Sequence, residues 1–113
     1  MVTVLKNWSM VYLFGLPDGS QMHQRWGRVV TGEVLLDGKH SHVPGDKICT
    51  DAVLRSPGNL VHTRTGEVYS LFGQGATLEL PVTQLQRLQR LESASQIAIE
   101  LGSGWRKINS DES

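Results

Sequence analysis

Two histidines separated by one residue, His40 and His42, have the spacing in this sequence that best suits metal chemistry. Alternate side chains of an extended backbone point to the same side, so both imidazoles would face one zinc ion. Tetrahedral zinc needs more ligands, and none of the other candidates stands at a diagnostic spacing from the pair. Those candidates are His23, Asp37, Asp46, Cys49 and His62. We therefore interpret His40 and His42 as solvated side chains of a loop tip, and we expect neither metal nor cofactor.

The single cysteine, Cys49, would act as a nucleophile only if a histidine such as His62 lay beside it and took the thiol proton. No third, orienting group and no oxyanion nest is evident in the sequence, and no G-x-S-x-G occurs. Gly73-x-Gly75 leads into a strand rather than a helix, so it does not predict a phosphate cradle. We expect Cys49 to be a small buried residue.

Aromatic and arginine side chains occur together in two strand-like runs, with Trp26 and Arg28 in one run and Arg64 and Tyr69 in the other. If the two runs pair in one sheet, these side chains can stack on bases and grip the backbone of single-stranded nucleic acid. The same residue types are enriched at ordinary protein interfaces. We therefore predict that these four residues bind a ligand or a partner protein.

The length, charge and N-terminal sequence limit the class of protein. The 113 residues suffice for one domain that folds without a staple. Lys plus Arg and Asp plus Glu both number 11, so no uniform field would attract nucleic acid or an anionic membrane. The apolar run from Trp8 to Leu16 is shorter than a membrane-spanning helix, which needs about 20 residues. It also lacks the charged region before it and the cleavage site after it that a signal peptide has. We expect a cytoplasmic protein that does not cross a membrane.

Short apolar runs separated by turn residues predict a set of β-strands. The runs are Trp8 to Phe14, Trp26 to Leu36, Lys47 to Val53, Leu60 to Arg64, Glu67 to Phe72 and Ala76 to Leu80. Thr65-Gly66 joins two of them in the manner of a hairpin turn. Gly32 indicates a bulge, a bend or the close approach of another backbone, and a bend there would let the sheet curl toward a small barrel.

The periodicity changes after Pro81, where apolar residues recur every three or four positions, as is typical of an amphipathic helix. They are Leu85, Leu88, Leu91, Ala94, Ala98 and Leu101. Ser93-Ala94-Ser95 leaves open whether the segment from Val82 to Leu101 is one helix or two. The sequence thus predicts an α+β fold, with a strongly curved antiparallel β-sheet, partly rolled and barrel-like, and a C-terminal helix packed against it. Residues 1–102 would form a single domain and residues 103–113 a frayed tail.

Three patterns lie between Trp26 and Gly75: W-x-x-V-x-x-G-x-V-x-x-D, P-G-D-x-x-x-T and V-x-T-R-x-G-x-x-Y-x-L-x-G-x-G. This part of the chain resembles small uncharacterised bacterial domains found on prophages and mobile gene cassettes. The resemblance implies that the gene is carried on a mobile element. It implies no known activity, and no functional residue is carried over from it.

A complete core pattern without a catalytic constellation favours a small, non-catalytic binding protein. The leucine stripe of the helical segment needs a partner surface, and a second copy of the chain can supply one if the sheet does not. We therefore expect a homodimer or a complex with another protein. Single-stranded nucleic-acid binding through the Trp, Arg and Tyr side chains is the alternative, and a metal-dependent or thiol enzyme is the less favoured one.

Overall fold

The computed structural model describes residues 2–16, 18, 20–21, 23–38 and 42–101, which form an α+β fold. The elements in chain order are β1 (Thr3–Phe14), β2 (Arg25–Asp37), β3 (Lys47–Cys49), β4 (Val53–Arg55), β5 (Leu60–Thr63), β6 (Val68–Leu71), β7 (Ala76–Pro81), a 3₁₀ turn (Val82–Gln84), α1 (Leu85–Gln89) and α2 (Ala94–Leu101). Every apolar run predicted to be extended contains a strand, so that prediction is confirmed. The predicted tail, residues 103–113, lies outside the described residues.

All seven strands belong to one mixed sheet, whose order is β3-β2-β1-β6-β5-β4, with β7 also beside β1. β1 is antiparallel to β2 but parallel to both β6 and β7. The length of β1 allows this, because Thr3–Leu5 pair with β6 while Ser9–Phe14 pair with β7 on the same edge. The prediction of an antiparallel sheet is therefore wrong. Alternation along a sequence reveals strands without revealing their directions.

The sheet is open, so the prediction of a strongly curved, barrel-like sheet is also wrong. The outermost strands in the pairing order, β3 and β4, have three residues each, and no ladder joins them within the described ranges. Strands this short offer few hydrogen bonds with which to close a barrel. The predicted role of Gly32 as a point of close backbone approach is confirmed, because a Cβ there would lie 3.3 Å from the Lys6 carbonyl oxygen and from Trp8 Cα.

A β-bulge in β1 keeps apolar side chains on one face of this long strand. The register with β2 shifts between Lys6 and Ser9, where β1 has one extra residue. Asn7 lies in this bulge with φ 49°, a left-handed conformation that asparagine tolerates better than most residues. Because the extra residue inverts the alternation, Leu5 before the bulge and Met10 after it belong to the same buried cluster.

Two hydrophobic clusters lie on opposite faces of β1. The first, on what we call the inner face, joins β1 and β2 to β4, β5 and β6; its buried members are Leu5, Met10, Val30, Val34, Val53, Val61, Tyr69 and Leu71. The second, on the outer face, joins β1, β2 and β7 to the helices; its buried members are Val11, Leu13, Val29, Leu80, Val82, Leu88, Ala94 and Ile97. Val29 and Val30 enter different clusters, as expected for a strand that is buried on both sides.

The amphipathic segment forms two short helices, which resolves the question that the sequence leaves open. α1 ends in the Schellman arrangement, in which Leu91 N donates to the Leu88 oxygen (2.9 Å) and Glu92 N to the Arg87 oxygen (3.1 Å). Leu91 takes the left-handed position, with φ 67°, where glycine is usual. Arg87 then ties the helices together through the carboxylates of Glu92 (2.8 Å) and Glu100 (2.6 Å). Among the residues with described structure, no helix has the length and apolarity needed to span a bilayer.

Candidate interaction surface

The outer face of β1 is divided into two halves that differ in what covers them. Beyond the bulge, the outward side chains of Val11 and Leu13 are 0% exposed and pack in one cluster with residues of α1 and α2. We call this the covered half. Before the bulge, the outward side chains of β1 and its neighbours remain partly or largely exposed. We call this apolar surface the open face; it consists of Val2, Val4, Leu36, Leu60, Val68 and Phe72.

The strand register places the open face on one side of the sheet. A central row crosses β2, β1, β6 and β5; in order it is Leu36, Val4, Ser70 and Leu60. Val2 and Val68 lie two residues before this row in their segments, and Phe72 lies two residues after it. Because side chains alternate along a strand, the residues next to the row, such as Leu5 and Val61, point to the inner face and are fully buried.

The apolar side chains of the open face are far more exposed than those of the covered half. Leu36 is 61% exposed and Phe72 is 60% exposed, whereas Leu13 and Leu88 are 0% exposed. The solvated face of a sheet normally carries polar residues in alternation with a buried apolar set. Neighbouring exposed apolar side chains, in contrast, mark interaction sites on protein surfaces. The open face is therefore the strongest candidate for a functional surface.

A row of charges and a small crevice separate the open face from the covered half. Lys6 faces Glu33 across β1 and β2, and Glu33 faces Lys47 across β2 and β3, so the sign of the charge alternates along the row. A crevice of about 160 Å³ opens between this row and the turn that joins α1 to α2. Ligand pockets typically begin at about 300 Å³. We therefore regard the crevice as a notch at the boundary rather than as a small-molecule site.

Leu91 stands at the edge of the helix layer, beside this crevice, and is 46% exposed. The left-handed conformation costs a residue other than glycine about 1–2 kcal/mol. A half-exposed leucine recovers only part of that cost through burial of its side chain. Residues in sparsely populated backbone conformations persist where the surrounding structure fixes them, and they cluster at functional sites. Leu91 thus adds an apolar side chain to the boundary of the open face.

Trp26 and Arg28, two of the residues predicted to bind a ligand or partner, lie at the start of β2. Trp26 is 40% exposed, and Arg28 is half-buried and pairs with Tyr12 of β1. The guanidinium of Arg25 lies 4.6 Å from the centre of the Tyr12 ring, a cation–π contact. Trp26 and Arg28 are the side chains that the nucleic-acid alternative would use at this end of the sheet, and that alternative stays a prediction.

Arg64 and Tyr69, the other two predicted residues, lie near the β5–β6 hairpin. Tyr69 is 6% exposed and belongs to the inner cluster, and its hydroxyl donates to the Glu67 carboxylate at 3.3 Å. Burial, with the charge of Glu67, raises the pKa of Tyr69 to about 12. Tyr69 pairs with Thr3, nine residues along β1 from the partner of Arg28, which is about 30 Å at 3.3 Å per residue. The structure does not bring the four residues to one place.

Of the two histidines weighed as metal ligands, His40 lies outside the described residues and His42 is exposed. The backbone N–H of His42 donates to Oδ2 of Asp37 at 2.7 Å, and Thr3 Oγ1 donates to Oδ1 of the same carboxylate at 2.8 Å. Asp37 therefore joins the end of β2 to Thr3 and to the backbone of His42. In the part of the chain that is described, no group of three or more His, Cys, Asp or Glu residues could hold a metal ion.

Cys49 lies on β3 and packs, half-buried, against the outer cluster. Burial, and then the charge of Asp51, raise the pKa of the Cys49 thiol to about 11. The thiol is therefore protonated at neutral pH, which makes it a poor nucleophile. His62 lies on β5, and β2, β1 and β6 separate that strand from β3 in the sheet. The thiol and imidazole considered as a catalytic pair are not neighbours.

The open face is missing from the sequence-based predictions, although part of its signal is in the sequence. Val2 and Val4 alternate with Thr3 and Leu5, as expected for a half-buried strand. The predicted first strand nevertheless begins at Trp8, whereas β1 begins at Thr3. An earlier strand start would have placed Val2 and Val4 on one face. Whether a helix covers that face depends on tertiary packing, which local alternation does not encode.

No protein-family model matches the chain, and neither a curated protein nor a solved structure matches it significantly. The resemblance to small bacterial domains of mobile elements therefore rests on the sequence patterns between Trp26 and Gly75 alone. The cytoplasmic location and the carriage on a mobile element stay predictions.

Proposed function

We propose that this chain is a non-catalytic binding protein whose open face binds another polypeptide. The observation that carries the proposal is the high exposure of Leu36 and Phe72, 61% and 60%, among neighbouring apolar side chains on the same face of the sheet. Ser70 is the polar member of the central row. The face thus offers mainly apolar area and shape to a partner, with the imidazole of His62 beside Val68.

Burial of these two side chains would contribute measurably to binding. Complete burial of an exposed Leu or Phe side chain is worth about 1.5–3 kcal/mol. From their present exposure, Leu36 and Phe72 would therefore contribute about 1–2 kcal/mol each when a partner covers them. They are also the most exposed members of the open face, so they would be the residues whose truncation weakens the complex most.

Site-specific photo-cross-linking in cells that naturally produce the chain tests the proposal. A photoreactive benzoylphenylalanine at position 72 would sit in the open face, and the same residue at position 99 provides the matched control. Ile99 is an exposed apolar residue of α2, 72% exposed, and lies outside the open face. Illumination is expected to give a discrete covalent adduct with a polypeptide from position 72 and none from position 99.

Equal cross-linking from positions 72 and 99 would mean that the open face has no special role, and the proposal would fail. A cross-link from position 72 to residues of the same chain would also overturn it, because the face would then be covered intramolecularly. Peptide mapping of the adduct separates this outcome from an intermolecular product.

A further inference from the structure

We infer that the crevice beside the open face receives a carboxamide, the side-chain group of asparagine or glutamine, from the polypeptide bound by that face. This inference rests on the proposed function and adds the chemistry of the partner at one subsite. A notch of about 160 Å³ is smaller than an ordinary ligand pocket, but it suits a single side chain. A cavity of about 150 Å³ holds benzene, which is similar in size to a glutamine side chain.

The sheet and the helix layer both contribute to the crevice. Ser9 and Thr31, which pair across β1 and β2, line it with two hydroxyl groups. Glu33 and Lys47, which pair across β2 and β3, line it on the side of the open face. The turn between α1 and α2, residues 91–95, forms the opposite wall. A side chain that enters the crevice therefore meets polar groups from three strands on one side and the helix layer on the other.

The polar side chains from the strands are available to a ligand. Within the part of the chain that the structure describes, no side-chain hydrogen bond or ion pair engages Ser9, Thr31, Glu33 or Lys47. Thr50, in contrast, accepts from the Val30 N–H at 3.0 Å and donates to the Asp51 carbonyl oxygen at 2.9 Å. A few convergent polar groups in a concave site are what fixes the orientation of a ligand.

The charges of the crevice favour a neutral group with both a donor and an acceptor. Glu33 offers an acceptor and Lys47 a donor, so a fully charged group would meet one attractive and one repulsive charge. Lys6 faces Glu33 from β1, which further weakens the attraction of a cation. Glu92, on the helix side, is already paired with Arg87 at 2.8 Å. A carboxamide carries an NH₂ donor and a carbonyl acceptor without net charge, and it therefore matches this lining.

Two residues in the left-handed backbone conformation line the same crevice. They are Asn7, with φ 49°, and Leu91, with φ 67°. Among the described residues other than glycine, Gln21 is the only further one with a positive φ. Residues in sparsely populated conformations cluster at functional sites. Their meeting at one crevice supports a binding role on grounds that are independent of its charges.

The crevice is within reach of a polypeptide that lies on the open face. Val4 and Ser9 both point outward from β1, with the extra residue of the bulge between them. They are therefore four strand positions apart, or roughly 13 Å at about 3.3 Å per residue. Side chains four positions apart in an extended polypeptide also point to one side. One short extended segment can therefore contact Val4 and place a carboxamide in the crevice.

An NMR titration of the ¹⁵N-labelled full chain with Nα-acetylglutamine amide tests the chemistry of the crevice. We expect the backbone amide signals of Ser9, Thr31 and Ser93 to shift, with a dissociation constant in the millimolar range. Nα-acetylglutamate amide has nearly the same shape and a negative charge, and Nα-acetylnorleucine amide lacks the polar group. Both should bind at least about fivefold more weakly than the glutamine compound.

Thr31→Val tests whether the hydroxyl groups take part, because it removes one of them and keeps the shape of the side chain. It should weaken binding of the glutamine compound about three- to tenfold. Thr77→Val, at an exposed position of β7, is the matched control and should leave the dissociation constant unchanged. Both variants should keep the far-UV circular dichroism of the folded chain. An unchanged dissociation constant in Thr31→Val would overturn the inference.

Photo-cross-linking in cells connects the crevice with the partner. When Thr31→Val is combined with benzoylphenylalanine at position 72, the yield of the intermolecular adduct should fall at least about twofold, because the partner loses a hydrogen bond. Thr77→Val in the same background should leave the yield unchanged. Equal yields from the two combinations would mean that the partner does not use the crevice, and the inference would fail.

The experiments separate failure of the subsite from failure of the proposed function. Tighter binding of the glutamate compound, or no binding of the glutamine compound in the millimolar range, would overturn the inference. A discrete intermolecular adduct from position 72 would then still leave the proposed function standing. The absence of a specific adduct from position 72 would overturn both, because no polypeptide on the open face would supply the carboxamide.

Discussion

The two halves of the outer face of β1 have similar alternation and opposite surroundings. Val2 and Val4 point outward before the bulge, and Val11 and Leu13 point outward after it. The second pair is sealed beneath α1 and α2, whereas the first lies in the half-exposed surface around Phe72. An apolar strand face in a sequence therefore identifies a surface that has to be covered, but it does not specify whether the same chain covers it. This difference motivates the proposed function.

The largest expected effect is the difference in stability loss between truncation of a buried leucine in the helix layer and truncation of an exposed leucine of the open face. Leu88→Ala removes a side chain that is 0% exposed, and we expect it to lower the free energy of unfolding by about 2–5 kcal/mol. Leu36→Ala removes one that is 61% exposed and should change it by less than about 0.5 kcal/mol in the monomer. Urea denaturation at submicromolar concentration measures both. Similar losses would show that Leu36 is buried in solution, and the contrast between the two halves would disappear.

A second substitution, at Gly75, tests whether Trp8 of the inner face packs against the loop before β7. A Cβ at Gly75 would overlap Cδ2 of Trp8, so Gly75→Ala must displace the indole ring. We expect a loss of about 1–3 kcal/mol in the free energy of unfolding. Gly27→Ala is the matched control, because a Cβ there meets nothing within 4 Å. If the two variants unfold at the same urea concentration, Trp8 is not held against the loop before β7.

Alkaline pH distinguishes the two clusters. The pKa of Cys49, in contact with the outer cluster, rises from 9.0 to about 11, and that of Tyr69, in the inner cluster, rises from 10.0 to about 12. The folded chain holds both protons more tightly than the unfolded chain, so this stability is complete below pH 9 and is lost as pH rises through about 11 and 12. Each pKa rises by about 2, so at 1.36 kcal/mol per pKa unit each group contributes about 3 kcal/mol.

Urea denaturation between pH 8 and 12 measures this alkaline loss. Cys49→Ser should remove the part that begins near pH 9, and Tyr69→Phe the part that begins near pH 10. A wild-type stability that stays constant to pH 12 would contradict the burial of both groups.

The smallest effect is expected at the boundary itself. Leu91→Gly places at φ 67° the residue that this conformation favours, and we expect it to raise the free energy of unfolding by about 1 kcal/mol. If the Leu91 side chain contacts a partner at the boundary of the open face, the same substitution should weaken the binding of that partner. Urea denaturation reports the first effect, and the yield of the cross-link from position 72 reports the second. A gain in stability without any change in that yield would leave Leu91 outside the interface.

Local features of the fold are largely predictable from the sequence. The alternation from Trp26 to Leu36 locates β2, Thr65-Gly66 locates the turn between β5 and β6, and the change of period after Pro81 locates the helical segment. Each of these signals is set by neighbouring residues and by the geometry of one element. The split between α1 and α2 is less predictable, because it occurs where Leu91 adopts a conformation that sequence rules assign to glycine.

Long-range features are not predictable in the same way. The parallel pairing of β1 with β6 and β7 depends on contacts between residues that are distant in sequence. The candidate site shares this property, since its central row takes one residue from each of four strands. The predicted group of Trp26, Arg28, Arg64 and Tyr69 has suitable residue types, but the register separates its two pairs. Residue type suggests chemistry, and only the register decides which side chains meet.

The parallel pairing of β1 with β6 and β7 can form only late in the synthesis of the chain. Val11 pairs with Leu78, and the ribosome makes the intervening residues at about 5–20 per second, which takes roughly 3–13 s. During this interval β1 and β2 can form their hairpin, but the edge that later receives β6 and β7 is bare, and the outer side of Val11 and Leu13 has no helices to cover it. The nascent hairpin is thus the species most exposed to misassociation. Slower translation of residues 38–76 lengthens this interval and should lower the soluble yield.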